Sequence, residues 1–309
     1  MDSTTQNQYA NLRAAWIAQA QHYPGVAVGL GIALLAVVWL TVSSGINAFD
    51  GQHERVHMAL LGGGAGFAAT AFGALLAVAL RRISMATQDT MLGFAAGMML
   101  AASAFSLLLP GLDAAKELTG NSLMGAGTVV LGLGLGVLLM LGLDRFTPHE
   151  HETTGPCGPD CDRINRVWLF VFAVTLHNLP EGMAIGVGFA GGDMGVGIPL
   201  ATAISIQDIP EGLAVALALR TTGLSALTSA LIAAASGVME PIGALIGVGM
   251  STGYALAYPV GMGLAAGAMI FVVSHEIIPE THRNGHQTSA TLGLMGGFAV
   301  MMFLDTALG

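Results

Sequence analysis

Charge is what this chain has least of. Only 9% of its 309 residues are Asp, Glu, Lys or Arg, against 54% hydrophobic, where a soluble domain carries about 25% charged residues. With a mean hydropathy of +0.71, a soluble globular domain is excluded and the lipid bilayer becomes the solvent. Basic runs are lacking as well: 10 Lys and Arg face 19 Asp and Glu, for a formal net charge of −9. That balance excludes the basic footprint of a nucleic-acid partner. The apolar runs also lack the alternation over about ten positions that an outer-membrane barrel strand needs, so an all-α helical bundle is expected. The first 24 residues have no basic stretch followed at once by an apolar run, so no cleaved signal peptide is expected.

Continuous apolar stretches near the ~20 residues that span a bilayer run at 25–43, 56–80, 91–109, 123–143, 167–190, 196–219, 224–250, 254–278 and 288–308. They predict nine helices in a polytopic membrane bundle. Orientation follows from the basic residues of alternate loops. Arg13, Arg81, Arg82, Arg145, Arg163, Arg166, Arg220 and Arg283 fall on one side, Arg55 and Lys116 on the other. The positive-inside rule puts the richer side, with the N-terminus and the 144–166 loop, in the cytoplasm and the C-terminus outside. Cys157 and Cys161, the two cysteines of the chain, then lie where thiols stay reduced, and no disulfide framework is implied. Forty-four glycines, among them Gly132, Gly134 and Gly136, suit close helix contact in lipid, where small residues let backbones approach.

Two six-residue phrases carry the chemistry: His177-Asn178-Leu179-Pro180-Glu181-Gly182 and Gln207-Asp208-Ile209-Pro210-Glu211-Gly212. A charged group at the bilayer centre costs about 2.5–3.5 kcal/mol on insertion scales and usually marks an ion path or a site. On a helix, positions 177, 178 and 181 span an arc of roughly 100°, so their side chains share one face, and 207, 208 and 211 repeat it. Pro180 and Pro210 lack an N–H, which frees the carbonyls of Leu176 and Ile206 and opens each helix beside its polar residues. Together with Glu240, these residues fall near the middle of the fifth, sixth and seventh spans, where they can meet at one depth.

One imidazole, two amides and the carboxylates of Glu181, Asp208, Glu211 and Glu240 form a borderline-to-hard donor set suited to Zn2+, Mn2+ or Fe2+. Ca2+ prefers oxygen alone. Two divalent cations would neutralise the four carboxylates, with Glu181 and Glu211 placed to bridge them. A satisfied interhelical hydrogen-bond network is the competing reading, but it gives no reason for a proline at the same offset in both phrases.

Further polar groups lie along the same axis. Asp113 and Asp305 are expected at external helix ends, and Asp144, His275 and Glu276 at cytoplasmic ends, so that together they trace a route. Each alone is an ordinary interfacial anchor. Met99 offers a soft thioether inside the third span, although gap-filling is the commoner role in a chain with 17 methionines. His149, His151, Cys157 and Cys161 form a metal-compatible tract, too loosely spaced for a closed structural zinc site.

At the paired phrases the sequence resembles the ZIP (Zrt-, Irt-like protein) family of divalent-metal transporters, whose fourth and fifth core helices carry His-Asn-x-Pro-Glu-Gly and a related second motif. The resemblance to prokaryotic members implies an inner-membrane protein with an eight-helix core over 56–309, preceded by a segment, 1–55, that carries one extra transmembrane helix. It implies a two-metal site, with His177, Glu181, Gln207 and Glu211 around one ion, completed by Met99. Asn178, Glu181, Asp208, Glu211 and Glu240 surround the other. It further implies metal movement toward the cytoplasm by alternating access, a histidine-bearing loop into which His149 and His151 fit, an inverted repeat around the fifth and sixth spans, and, by analogy, a homodimer. Many members carry His where this chain has Gln207. An amide is the weaker zinc ligand, so Cd2+, Fe2+ or Mn2+ join Zn2+ as candidate cargo.

Two other classes are open to the residues alone. His275-Glu276-Ile277-Ile278-Pro279 begins like the His-Glu-x-x-His helix of a metalloprotease, but Pro279 stands where the second histidine belongs. A metal sensor that binds without transporting needs a soluble signalling domain, and the sequence shows none. A transporter rather than an enzyme is therefore expected.

Overall fold

The computed structural model of the chain describes residues 17, 19–48, 53–80, 83–146, 149–151, 155–157, 166–221, 223–251 and 254–308, with side chains at all of these except 40–48, 149–151, 155–157, 166–174 and 221. Helix α1 (Pro24–Ala48) is followed by α2 (His53–Ala79) and by α3 (Met85–Ala101), which runs through a π-helical segment (Ala102–Leu108) into α4 (Leu109–Thr119). Next come α5 (Ser122–Phe146), the short strands β1 (His149–His151) and β2 (Gly155–Cys157), α6 (Arg166–Ala190) and α7 (Met194–Thr221). The chain ends with α8 (Ala226–Ser236), α9 (Met239–Ser251), α10 (Ala257–Val272), a second π-helical segment (Val273–Ile277), α11 (Ile278–Thr281) and α12 (Gln287–Leu308).

Each expected span coincides with one helix or a run of consecutive helices. Among the described residues, seven helical stretches are long and apolar enough to cross a membrane, and α1 adds a shorter apolar stretch, Pro24–Trp39. The polytopic helical bundle is thus the observed architecture. The segment read as a plain loop carries a small antiparallel ribbon, with His149 opposite Cys157 and His151 opposite Gly155. Cys161 lies outside the described residues.

Local chemistry sets several boundaries. Ser84 caps α3 by accepting the Thr87 N–H at 3.1 Å, and Ser225 caps α8 by accepting that of Thr228 at 3.1 Å. Each such cap satisfies a backbone donor that a helix start leaves unpaired. Gly120 ends α4 at φ 64°, a left-handed conformation that glycine adopts without strain.

The helices pair through reciprocal glycines. Gly182 and Gly186 of α6 lie against the Glu240 and Ala244 carbonyls of α9, while Gly243 and Gly247 of α9 lie against the Leu179 and Met183 carbonyls. The same exchange joins α2 to α7 (Gly73 on Ile209, Gly212 on Thr70), α3 to α12 (Gly93, Gly97, Gly293, Gly297) and α5 to α10 (Gly132, Gly136, Gly263, Gly267). In lipid, such backbone contact drives helix association. Gly134, expected among these contacts, faces open space. An inverted repeat in which α2, α3 and α5 correspond to α8–α9, α10 and α12 exchanges these pairings with one another: α2 with α7 corresponds to α9 with α6, and α3 with α12 to α10 with α5.

The two π-helical segments occupy corresponding places, each ending two residues before a proline, Pro110 or Pro279. A proline removes one helical donor and crowds the carbonyl four residues earlier, those of Ser106 and His275, and a π-turn relieves that crowding. Both bends carry polar side chains inward from otherwise apolar helices.

Candidate metal centre

Pro180 and Pro210 stand inside continuous helices α6 and α7, with Glu181 and Glu211 directly after them and Asp208 two residues before Pro210. Glu181, Asp208 and Glu211 are buried, and one oxygen from each lies within 4.8 Å of the others. Gln207, with no exposed surface, donates from Nε2 to Glu181 Oε1 at 2.7 Å. Asn178 donates from Nδ2 to Ser236 Oγ at 3.4 Å, at the end of α8. There the chain turns through Gly237 and Val238 before α9 begins. Glu240 sits in the first turn of α9, where the positive end of the helix dipole favours an anion. Thr70 of α2 donates from Oγ1 to Glu240 Oε1 at 2.6 Å.

Among the described residues, five oxygens of this cluster are buried without a hydrogen-bond partner: Glu181 Oε2, Gln207 Oε1, Asp208 Oδ2, Glu211 Oε2 and Glu240 Oε2. An unsatisfied buried polar atom costs about 1–3 kcal/mol, more when charged, and native structures keep few of them. With the carboxyl groups ionised all five are acceptors, and a set of this kind can hold divalent cations.

The other expected residues divide. His177 Nε2 lies 3.0 Å from Glu276 Oε2, so the imidazole links the first phrase to the π-helical segment after α10. His275 Nε2 lies 3.8 Å from Asp144 Oδ2, and Arg145 Nε is 3.9 Å from the same oxygen. On the opposite arm, Asp305 Oδ1 accepts from Ser106 Oγ at 2.6 Å. Each π-bend presents a polar side chain to an aspartate, and in an inverted repeat Ser106 would correspond to His275 and Asp305 to Asp144. Asp113 is exposed on α4. Met99 is buried in the apolar core, three residues before the first π-helical segment. His149 and His151 lie on β1, with side chains outside the described set.

Several partners escaped the sequence reading. Thr70 and Ser236 hold two of the candidate ligands; Thr70 is a lone hydroxyl in its apolar helix, a signal the sequence offered, whereas Ser236 is one of several hydroxyls in its span. Asp89, buried at the start of α3, accepts from His286 Nδ1 at 2.8 Å and Asn284 Nδ2 at 3.0 Å. It thereby ties the turn before α12 to α3.

Comparison with known proteins meets this geometry. The profile of the family described as ZIP zinc transporter matches residues 144–305, a segment containing both phrases and Glu240. The chain is 68% identical over 302 residues to the zinc transporter ZIPB of Bordetella bronchiseptica, with 97% of each chain covered. It is 41% identical over 242 residues to the zinc transporter GufA of Myxococcus xanthus, covering 78% of this chain and 95% of the relative. It is also 30% identical over 345 aligned positions to the human zinc transporter ZIP11, covering 83% of this chain and 99% of the relative. The His-Glu of residues 275 and 276 is thus no protease motif: the chain belongs to the ZIP zinc transporter family and is a multi-pass membrane transporter, not an enzyme.

Proposed function

We propose that the protein carries Zn2+ across the bacterial inner membrane toward the cytoplasm, through a two-metal site at mid-bilayer, by alternating access. The observation that supports this most directly is the convergence of five unpartnered buried oxygens from α6, α7 and α9. One ion takes His177, Glu181, Gln207 and Glu211, with Met99 as an additional sulfur donor. The other takes Asn178, Glu181, Asp208, Glu211 and Glu240. Glu181 and Glu211 are the bridging carboxylates, and one oxygen of each lies within 4.8 Å of one from the other and of one from Asp208. Cd2+, Fe2+ and Mn2+ use overlapping donors and are secondary cargo.

The route runs from Asp113, Asp305 and Ser106 outside to Glu276, His275 and Asp144 inside, and onward to His149 and His151 of the cytoplasmic 144–166 segment. Residues 56–309 form the transport core, and 1–55 contribute an additional helix with a cytoplasmic N-terminus. All proposed ligands come from one chain, so a homodimer would place one such site in each protomer.

Full-length protein reconstituted into liposomes loaded with a zinc-sensitive dye tests the reading. Wild type should fill the vesicles, and Glu181→Ala and Glu211→Ala should each abolish filling while still inserting, since each removes a ligand of both ions. Near-normal flux in both variants would refute the bridging assignment.

A further inference from the structure

Glu240 is held unequally at its two oxygens. Gly66 and Thr70, one helical turn apart, stack on the same face of α2. Thr70 is buried and its hydroxyl engages Glu240 Oε1 at 2.6 Å. Gly66 leaves the room for Oε2: a Cβ there would overlap Glu240 Oε2 and come within 3.0 Å of Asp208 Oδ2. Among the described residues neither oxygen accepts from a hydroxyl or an N–H group, and the Asp208 and Glu240 carboxyl groups lie within hydrogen-bonding reach of each other. Thr70 is closely surrounded: a Cβ at Gly212 would overlap its carbonyl, and one at Gly237 would come within 3.1 Å of its Cβ and 3.2 Å of its Cγ2.

We infer that Gly66 and Thr70 form a cradle that presents Glu240 to the second ion through the single oxygen Oε2, and that this one-oxygen presentation favours Zn2+ over cations that take more oxygen ligands. The inference rests on the proposed role of Glu240 as a ligand. Zn2+ prefers few ligands in a tetrahedral arrangement, with carboxylate oxygens at about 2.0–2.2 Å. Mn2+ suits octahedral oxygen sites, and a carboxylate that chelates through both oxygens helps fill them. With Oε1 committed to the Thr70 hydroxyl, Glu240 is a poor chelate. Thr70 is thus a positioning residue, acting through Glu240, and hydrogen-bond partners of metal ligands typically tune affinity about 10–100-fold.

The test is competitive uptake of Zn2+ and Mn2+ by the full chain in liposomes. Thr70→Val keeps the side-chain shape and removes the donor, and it should lower the zinc-to-manganese ratio about tenfold; Thr70→Ser should restore it. Thr70→Ala serves the same purpose if the valine variant does not insert. An unchanged ratio in Thr70→Val and Thr70→Ala overturns the inference, as does a parallel loss of both metals, which is the mark of a purely structural role. Glu240→Gln, measured alongside, separates the two levels. If it leaves both the ratio and the zinc bound per chain unaltered, Glu240 is not a ligand and the site reading itself fails. If it shifts them while the Thr70 variants do not, only the cradle fails.

Discussion

Gln207 donates its amide N–H to Glu181 and keeps a buried, unpartnered carbonyl oxygen, so at this position the centre offers oxygen where imidazole would offer nitrogen. Imidazole discriminates among first-row metals more strongly than an amide oxygen does. Gln207→His should therefore raise the zinc-to-manganese uptake ratio about tenfold, equivalent to ~1.4 kcal/mol. A competition assay showing no change would mean that Gln207 does not touch the ion. His177 is the other informative residue because it faces Glu276 at 3.0 Å and so stands between the carboxylate cluster and the proposed exit route. His177→Ala should weaken the first ion while the second remains, and Asp208→Ala should do the reverse. Identical metal profiles for the two variants would count against two distinct positions.

Helix α9 reaches α6 at the Glu240 carbonyl itself, against Gly182, so the position of a ligand depends on a glycine one residue beyond Glu181. Gly182→Ala would force a methyl into that carbonyl; overpacking of this kind costs about 1–3 kcal/mol. Lower thermal stability and lost zinc uptake are expected, whereas Gly134→Ala, which meets open space, should match wild type in both. Equal behaviour of the two variants would remove the packing argument. The glycine contacts join α2 to α7 and α6 to α9, while α3 and α12 border α7 along an open apolar groove lined by Thr90, Met91, Phe94, Ile206, Ile209 and Pro210, among others. The proposed alternating access puts the moving surface at this boundary, which none of these glycine contacts crosses. Disulfides engineered between α3 and α7 should arrest transport, and those between α6 and α9 should leave it running; the opposite pattern would relocate the moving surface. The glycine count was legible in the sequence, but which glycines touch was not, because Gly132, Gly134 and Gly136 differ only in the direction each faces.

For the molecule as a whole, the centre concentrates carboxylates in a bundle with few compensating cations nearby. Metal ligands bind in their deprotonated forms, so metal binding releases protons and affinity falls as pH falls. Calorimetry of zinc binding in buffers of different ionisation enthalpy should give apparent enthalpies that scale with the buffer; a buffer-independent value would mean that no protons are displaced. The exposed surface is consistent with a lipid environment: large apolar side chains such as Leu35, Leu123, Val130, Leu292 and Phe303 point outward, as expected where lipid replaces water.

Composition and period were enough to determine a polytopic helical bundle and where along the chain its spans fall, though not their ends, such as the run that reaches Thr119 where 109 was expected, because a bilayer demands continuous apolar helices and leaves few alternatives. The two phrases likewise marked α6 and α7 as carriers of the centre, since carboxylates beside prolines in apolar helices are too costly to be incidental. Tertiary structure alone decided that Thr70 would hold Glu240, that Ser236 would hold Asn178, and that His177 would face Glu276. Each contact joins residues from 58 to 170 positions apart or in separate spans, and the rotation of one helix about its axis against another is set by mutual packing, which no local pattern encodes.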